Sequence, residues 1–236
     1  MIHGGVDYGI NILVEFEPDS LWYETSFTIA ANMLKSRIRV HYHTFVRPPQ
    51  EVRGLLAGFG LDIDKLQQSG LLKIIDSHTA QVGLSAAEGS QDSPVIAAAT
   101  QSLKMADWSI GFAKEMKSGT GYLPETEKGL HLDDNTSVLL QYNDEKTFVD
   151  VWRTRNLPHT RLGGMVFLYA FVTGVGSSTL YRQLESLSDG IVDFKSPETG
   201  GQIEHLMRVR TMRGKTFDSR WRRIRLMENG EVALAD

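Results

Sequence analysis

Seven histidines and a strand-terminal pair of aspartates are the residues of this chain best suited to chemistry. His41 and His43 alternate within RIRVHYHTF, so on a strand both imidazoles face the same side. A metal centre needs at least one more converging ligand, and spacing places none beside them. The simpler expectation is a half-buried strand with imidazoles on its polar face. His3, His78, His131, His159 and His205 are scattered and pair with no serine or glutamate at a telling separation. Nucleophilic catalysis therefore has no sequence support. LHLDD, residues 130–134, is more informative. An apolar strand ending in aspartate can present a carboxylate to magnesium at the carboxyl edge of an α/β sheet, provided a phosphate-binding loop accompanies it. The absence of cysteine excludes zinc–thiolate, iron–sulfur and cysteine-nucleophile chemistry.

The elements that would position these residues alternate along the chain. INILVEF (10–16) is expected as a strand and 20–36 as a helix. RIRVHYHTF follows as strand, PPQEVRGLLAGFG as helix, DIDKLQQSG as a short helix stopped at Gly70, and LLKIIDS as strand. Residues 79–101 are small, polar and weakly periodic, which predicts a long loop. A helix over 104–117 and the loop GTGYLPETEKG lead to the LHLDD strand. EKTFVDVWRTRNL is expected as helix, GGMVFLYAFVTG as strand and STLYRQLESLSDG as a helix ending at Gly190. The remainder reads as antiparallel strands with turns at SPETGG and ENGE. The pattern is that of an α/β fold: a mostly parallel central sheet flanked by helices, closed by a C-terminal antiparallel β-meander.

With 236 residues, 41% hydrophobic and 23% charged, the chain suits one large α/β domain over 1–236. A formal net charge of −4 gives no general attraction to nucleic acid, although from Gln202 onward eight basic residues face five acids. MIHGGVDYG lacks the basic and apolar regions of a signal peptide, and GGMVFLYAFV is too short to span a bilayer. A cytoplasmic protein without membrane association is the expectation.

The order of segments resembles the KaiC/RadA branch of the RecA superfamily of P-loop ATPases, over nearly the whole chain. GGVDYG (4–9) is similar to the family's Gly-Gly-Ile-Pro-x-Gly opening before the first strand. PPQEVRGLLAGFGLDIDKLQQSGLLKIIDS resembles its helix after strand two, with a Gly-Leu-Asp step into a strand ending in Asp. LHLDDNTS falls on its magnesium-site strand, LESLSDGIVDF on its helix-to-strand step with Asp-Gly, and VRTMRG on its Lys-Met-Arg-Gly strand. The resemblance implies a RecA-like fold, oligomers with RecA/KaiC-family proteins, and an archaeal source.

Matched to this family, VEFEPDSLWYET falls on the phosphate-binding loop and departs from it throughout. Phe16 and Leu21 stand at the two glycines of G-x-x-x-x-G-K-[ST], Pro18 lies between them, Trp22 replaces the lysine and Tyr23 the hydroxyl residue. Such a loop needs glycine so that backbone N–H groups converge on phosphate, lysine to neutralise it, and a small hydroxyl to hold magnesium. Glu15, Glu17, Asp19 and Glu24 add repulsion worth on the order of a few kcal/mol per close pair with phosphate. Val46 and Arg47 stand where the family carries its water-activating glutamates, and Thr211 replaces the lysine of Lys-Met-Arg-Gly. Asp133 remains as the magnesium-site carboxylate and Arg213 as the following arginine.

The resemblance and its departures lead to an inactive ATPase homologue, with the nucleotide pocket filled by aromatic rings, no catalytic residue, no cofactor and no metal. It would serve as a regulatory or structural partner of an active family ATPase. Two alternatives are an accessory nucleic-acid binder using Arg208, Arg210, Arg213 and Lys215, and an ATP-binding signalling protein with an atypical site. A further one is a ligand- or cation-binding site formed by His43, Asp76, Asp133 and the loop acids at the strands' carboxyl ends.

Overall fold

The computed structural model describes residues 5–81, 96–97 and 128–235. The helix expected over 104–117, the loop before LHLDD and most of the loop expected over 79–101 lie outside these residues. In chain order the structure runs β1 (Asn11–Phe16), α1 (Trp22–Lys35), β2 (Arg39–Thr44), α2 (Pro49–Gly58), α3 (Ile63–Gln68) and β3 (Leu72–Asp76). Then come α4 (His78–Gln81), β4 (Ile96–Ala97), β5 (Gly129–Asp133), a 3₁₀ turn (Thr136–Gln141), α5 (Glu145–Val151), α6 (Leu157–Gly163) and β6 (Met165–Val172). The chain continues with α7 (Ser178–Leu187), β7 (Gly190–Lys195), β8 (Glu198–Thr199), β9 (Gln202–Ile203), β10 (Leu206–Met212), β11 (Arg222–Leu226) and β12 (Val232–Leu234).

Among the described residues, ten strands form one sheet in the order β12-β11-β10-β7-β1-β6-β5-β2-β3-β4. Every pairing from β7 to β4 is parallel, and β10, β11 and β12 add antiparallel strands at one edge. One expectation needs correction. The sequence pattern places residues 191–195 with the antiparallel strands, yet β7 pairs parallel with β1 and antiparallel with β10, making it the junction between the two regimes. Its apolar, doubly covered character is that of a strand inside the parallel sheet. No helix among the described residues is long and apolar enough to cross a membrane.

Strand alternation sorts the core into two layers. Ile12, Val14, Phe16, Val40, Tyr42, Leu130, Leu132, Leu168 and Ala170 meet α1, α2 and α3 on one face. Leu13, Phe167, Tyr169, Phe171 and Ile191 meet Phe148, Trp152, Leu157, Leu180 and Leu184 on the other. The second layer includes a helix longer than expected. Instead of ending at Leu157, the chain passes through a π-turn at Trp152–Asn156 and continues to Gly163, where Gly164 closes it at φ 63°. Pro158 explains the widening: it has no N–H to donate and its ring would crowd the carbonyl one turn back, which a wider turn relieves.

The junction at β7 is clamped by charge. Arg210 on β10 bonds Asp193 on β7, Glu185 on α7 and Glu15 on β1, with an Arg210 Nη2–Glu15 Oε2 distance of 2.6 Å. Arg208 adds a 2.6 Å bond to Asp193. Glu15 and Asp193 are both buried, so the guanidinium answers carboxylates that have lost their water. Replacing Arg210 with alanine is expected to destabilise the fold by about 2–4 kcal/mol at pH 7 in urea unfolding, because two buried carboxylates lose their main partner. The deficit should shrink as pH falls towards 4, because burial raises the Glu15 carboxyl and lets it take up a proton.

Candidate functional site

Parallel α/β sheets place their chemistry at the carboxyl ends of the strands, and here the ends of β1, β2, β3 and β5 carry the candidate residues. At the end of β1 the chain turns directly into α1. Phe16 and Trp22 are 1% exposed, and their rings lie 6.1 Å apart. Tyr23 meets Phe16 edge-on at 5.4 Å, and Phe194 meets Trp22 at 5.4 Å. The Trp22 indole N–H donates a 2.8 Å bond to the carbonyl of Asp134, tying the first turn of α1 to the end of β5. The Asn135 side chain donates to the Tyr23 hydroxyl at 3.2 Å. Burial pushes the Tyr23 phenol up to about 12, with Asp134 adding to the rise.

The acids of this turn do not converge. Glu15 bonds Arg210. Glu17 turns outward to accept from the Ser196 backbone N–H at 2.7 Å, and Pro18 and Asp19 are exposed. Leu21 precedes α1 as its cap residue and offers no side-chain hydrogen bond. None of residues 16–23 has a positive φ, so the turn lacks the left-handed residues with which a backbone nest gathers N–H groups around an anion.

The ends of β2, β3 and β5 hold a buried polar string that the sequence did not reveal. Register pairs His43 with Asp133 and His41 with His131. His43 Nδ1 lies 3.0 Å from Asp133 Oδ1, and His43 Nε2 lies 2.7 Å from the Ser77 hydroxyl. His131 Nε2 lies 2.8 Å from the same Asp133 oxygen, while the Thr136 hydroxyl donates to Asp133 Oδ2 at 3.1 Å. Burial alone would raise the Asp133 carboxyl, but the His43 ring and the hydrogen bonds from His131 and His43 outweigh it and hold it well below the usual range. The order Ser77–His43–Asp133 is that of a nucleophile relay. Ser77, His43 and Asp133 are all fully buried, so in this conformation the string acts as internal hydrogen bonding.

Two expectations change. The imidazoles of His41 and His43 do not sit on a half-buried polar face; both are buried. The residues that converge on His43 are His131 and Asp133, from a strand some ninety residues away in sequence, and Ser77 supplies the serine partner that spacing did not show. Burial, with His131, Lys73 and Arg39 contributing, holds His41 well below the ordinary imidazole value. Asp76 does not join this group, since it accepts the Thr79 N–H at 2.9 Å and starts α4.

Asp134, the next residue along, points away from Asp133 and is also fully buried. It accepts the Phe45 N–H at 2.8 Å and lies 3.1 Å from the Thr44 hydroxyl, which also reaches the Arg47 carbonyl. Burial pushes its carboxyl up to about 6 against those hydrogen bonds. Val46 is exposed, and Arg47 pairs with Glu51 one turn into α2. Of the basic candidates, Arg208 and Arg210 are held by Asp193, Lys215 pairs with Asp7 at 2.8 Å, and Arg213 bonds the Ser186 carbonyl at 2.9 Å. Arg208 also lies 4.5 Å over the Trp221 ring.

Two measurements probe this geometry. Trp22→Ala should cost about 3–5 kcal/mol in chemical denaturation, as expected for emptying a fully packed indole site. Asp134→Asn, compared with wild type after both are refolded from denaturant in the presence of chelator, should stabilise the protein by about 1–3 kcal/mol at pH 8, with the gain vanishing below about pH 4. The sign follows from the raised carboxyl: between about pH 4 and 6 the folded state holds the proton more tightly than the unfolded one, so Asp134 destabilises the fold increasingly as pH rises through that window. An unchanged or lower stability of Asp134→Asn at pH 8 would contradict this account.

No protein-family model and no curated protein sequence matches the chain. Solved structures do. The Pyrococcus horikoshii protein PH0321, solved in complex with an unknown peptide, superposes with a TM-score of 0.77 at 15% identity, covering 98% of this chain and 94% of that one. The KaiC-like protein PH0186 of Pyrococcus horikoshii OT3 superposes with a TM-score of 0.71 at 14% identity, covering 100% of this chain and 93% of that one. With its mostly parallel sheet, flanking helices and antiparallel C-terminal strands, the chain has a KaiC-like, RecA-type fold.

Proposed function

We propose that this chain is a RecA/KaiC-like protein without ATPase activity, a single domain that acts as a regulatory or structural partner of other proteins, an active ATPase of the same fold foremost among them. One observation carries the proposal. The turn from β1 into α1, where a phosphate-binding loop would sit, is packed by Phe16, Trp22 and Tyr23 and sealed by the Trp22–Asp134 bond. A triphosphate would have to displace an indole that makes ring contacts on two sides, and would then meet neither a lysine nor a small hydroxyl at the matched positions. Val46 and Arg47 at the end of β2 offer no carboxylate to activate water. Asp133, the carboxylate kept from the magnesium strand, is committed to His43, His131 and Thr136.

A binding role is further supported by the fold neighbour PH0321, which was solved with a peptide bound. The nucleic-acid alternative draws less support, because Arg208, Arg210 and Lys215 spend their charge on acids of the same chain. Titration calorimetry with ATP and magnesium tests the proposal. The expected result is binding weaker than about 1 mM, or less than about 4 kcal/mol of affinity, with no phosphate release. Micromolar binding with turnover would overturn it. Affinity capture with the untagged chain immobilised should retain a polypeptide partner, and a salt-sensitive nucleic acid in its place would favour the alternative.

A further inference from the structure

We infer that His43, His131 and Asp133 form a structural zinc site that pins β2 to β5 beneath the sheet's carboxyl edge. Each residue offers one ligand atom, and these atoms all lie within 4.8 Å of one another. The Asp133 Oδ1 atom stands 3.0 Å from His43 Nδ1 and 2.8 Å from His131 Nε2. Ligands on a tetrahedral ion with bonds of about 2.0–2.1 Å are separated by about 3.3 Å, so each of these nitrogens needs to move only a few tenths of an ångström from the Asp133 oxygen. Two imidazoles and one carboxylate are a donor set that suits zinc among common divalent ions. If Asp133 binds through both oxygens, it supplies the fourth donor without a further residue.

The surroundings fit an ion as well as the ligands do. A metal-bound imidazole donates its other N–H to an oxygen that fixes the ring, and His43 Nε2 already stands 2.7 Å from the Ser77 hydroxyl. The His43 ring packs on Phe45 at 4.2 Å, and the His131 ring stacks on Phe167 at 4.4 Å with the two planes nearly parallel. Both rings are thus aimed by their neighbours. The fully buried Asp133 carboxylate supplies negative charge directly at the ion, which a buried cation needs. Full burial leaves no open coordination position for a substrate, which assigns the ion a structural role. The inference does not depend on the partner role proposed above.

Zinc binding replaces two ring N–H···carboxylate bonds with metal bonds, moving the His43 proton from Nδ1 to Nε2 and the His131 proton from Nε2 to Nδ1. Because the site is sealed, untagged protein should be denatured, stripped with chelator and refolded with or without one equivalent of zinc. The expected result is one zinc per chain after desalting and a higher thermal midpoint than the metal-free protein. His131→Ala and His43→Ala should lower zinc affinity at least 100-fold, Ser77→Ala about tenfold, and His205→Ala not at all. Should the histidine variants fail to fold, wild-type protein refolded with cobalt provides the independent readout, with visible absorption of tetrahedral intensity expected. Less than a tenth of an equivalent of zinc together with no such cobalt spectrum would overturn the assignment. So would stoichiometric zinc that persists in a His43→Ala, His131→Ala double variant.

Discussion

Two neighbouring carboxyls without access to water, Asp133 and Asp134 at the end of β5, set the terms for everything around them. Their positions on a strand turn them to opposite sides of the sheet, so each must be satisfied from a different layer. Asp133 is answered by His43, His131 and Thr136, and Asp134 by the Phe45 backbone and the Thr44 hydroxyl. An unanswered buried carboxylate would cost several kcal/mol. That cost adds to apolar packing in fixing the register of β2 against β5, because a slip of one residue would strand both charges.

The same strand end anchors the aromatic turn. The backbone carbonyl of Asp134 receives the Trp22 indole N–H, so the polar cluster and the packed turn share one residue. In a fold whose ligand chemistry ordinarily sits in this crevice, the crevice is occupied by side chains of the protein itself. The proposal of a binding partner starts from where bulk and charge have been placed in this crevice.

Charge in the C-terminal strands illustrates how sequence composition and available charge differ. The basic excess after Gln202 reads as a surface for phosphates. In the structure much of it closes on acids contributed by β1, β7, α7 and the N-terminal segment, with Arg210 joining three of these elements. The arginines hold the antiparallel edge to the parallel sheet, a packing role that long amphipathic side chains are suited to.

By itself the sequence determined the order and type of the longer described elements, since apolar periods of 2 and 3.6 are local properties of the chain, whereas the short α4 and β4 fall where a loop is expected. It also determined that the β1–α1 turn holds two large rings and no glycine or lysine, because residue identity at that turn needs no coordinates. Tertiary structure decided the rest. Whether residues 190–195 pair in parallel depended on β1, nearly two hundred residues earlier. The approach of His43 to Ser77, His131 and Asp133 depended on register between strands that are distant in sequence. Only the HxD spacing of His131 and Asp133 placed two of these on one face in advance. Inter-strand register is fixed by burial and charge satisfaction summed over the whole sheet, and no local stretch of sequence contains that sum.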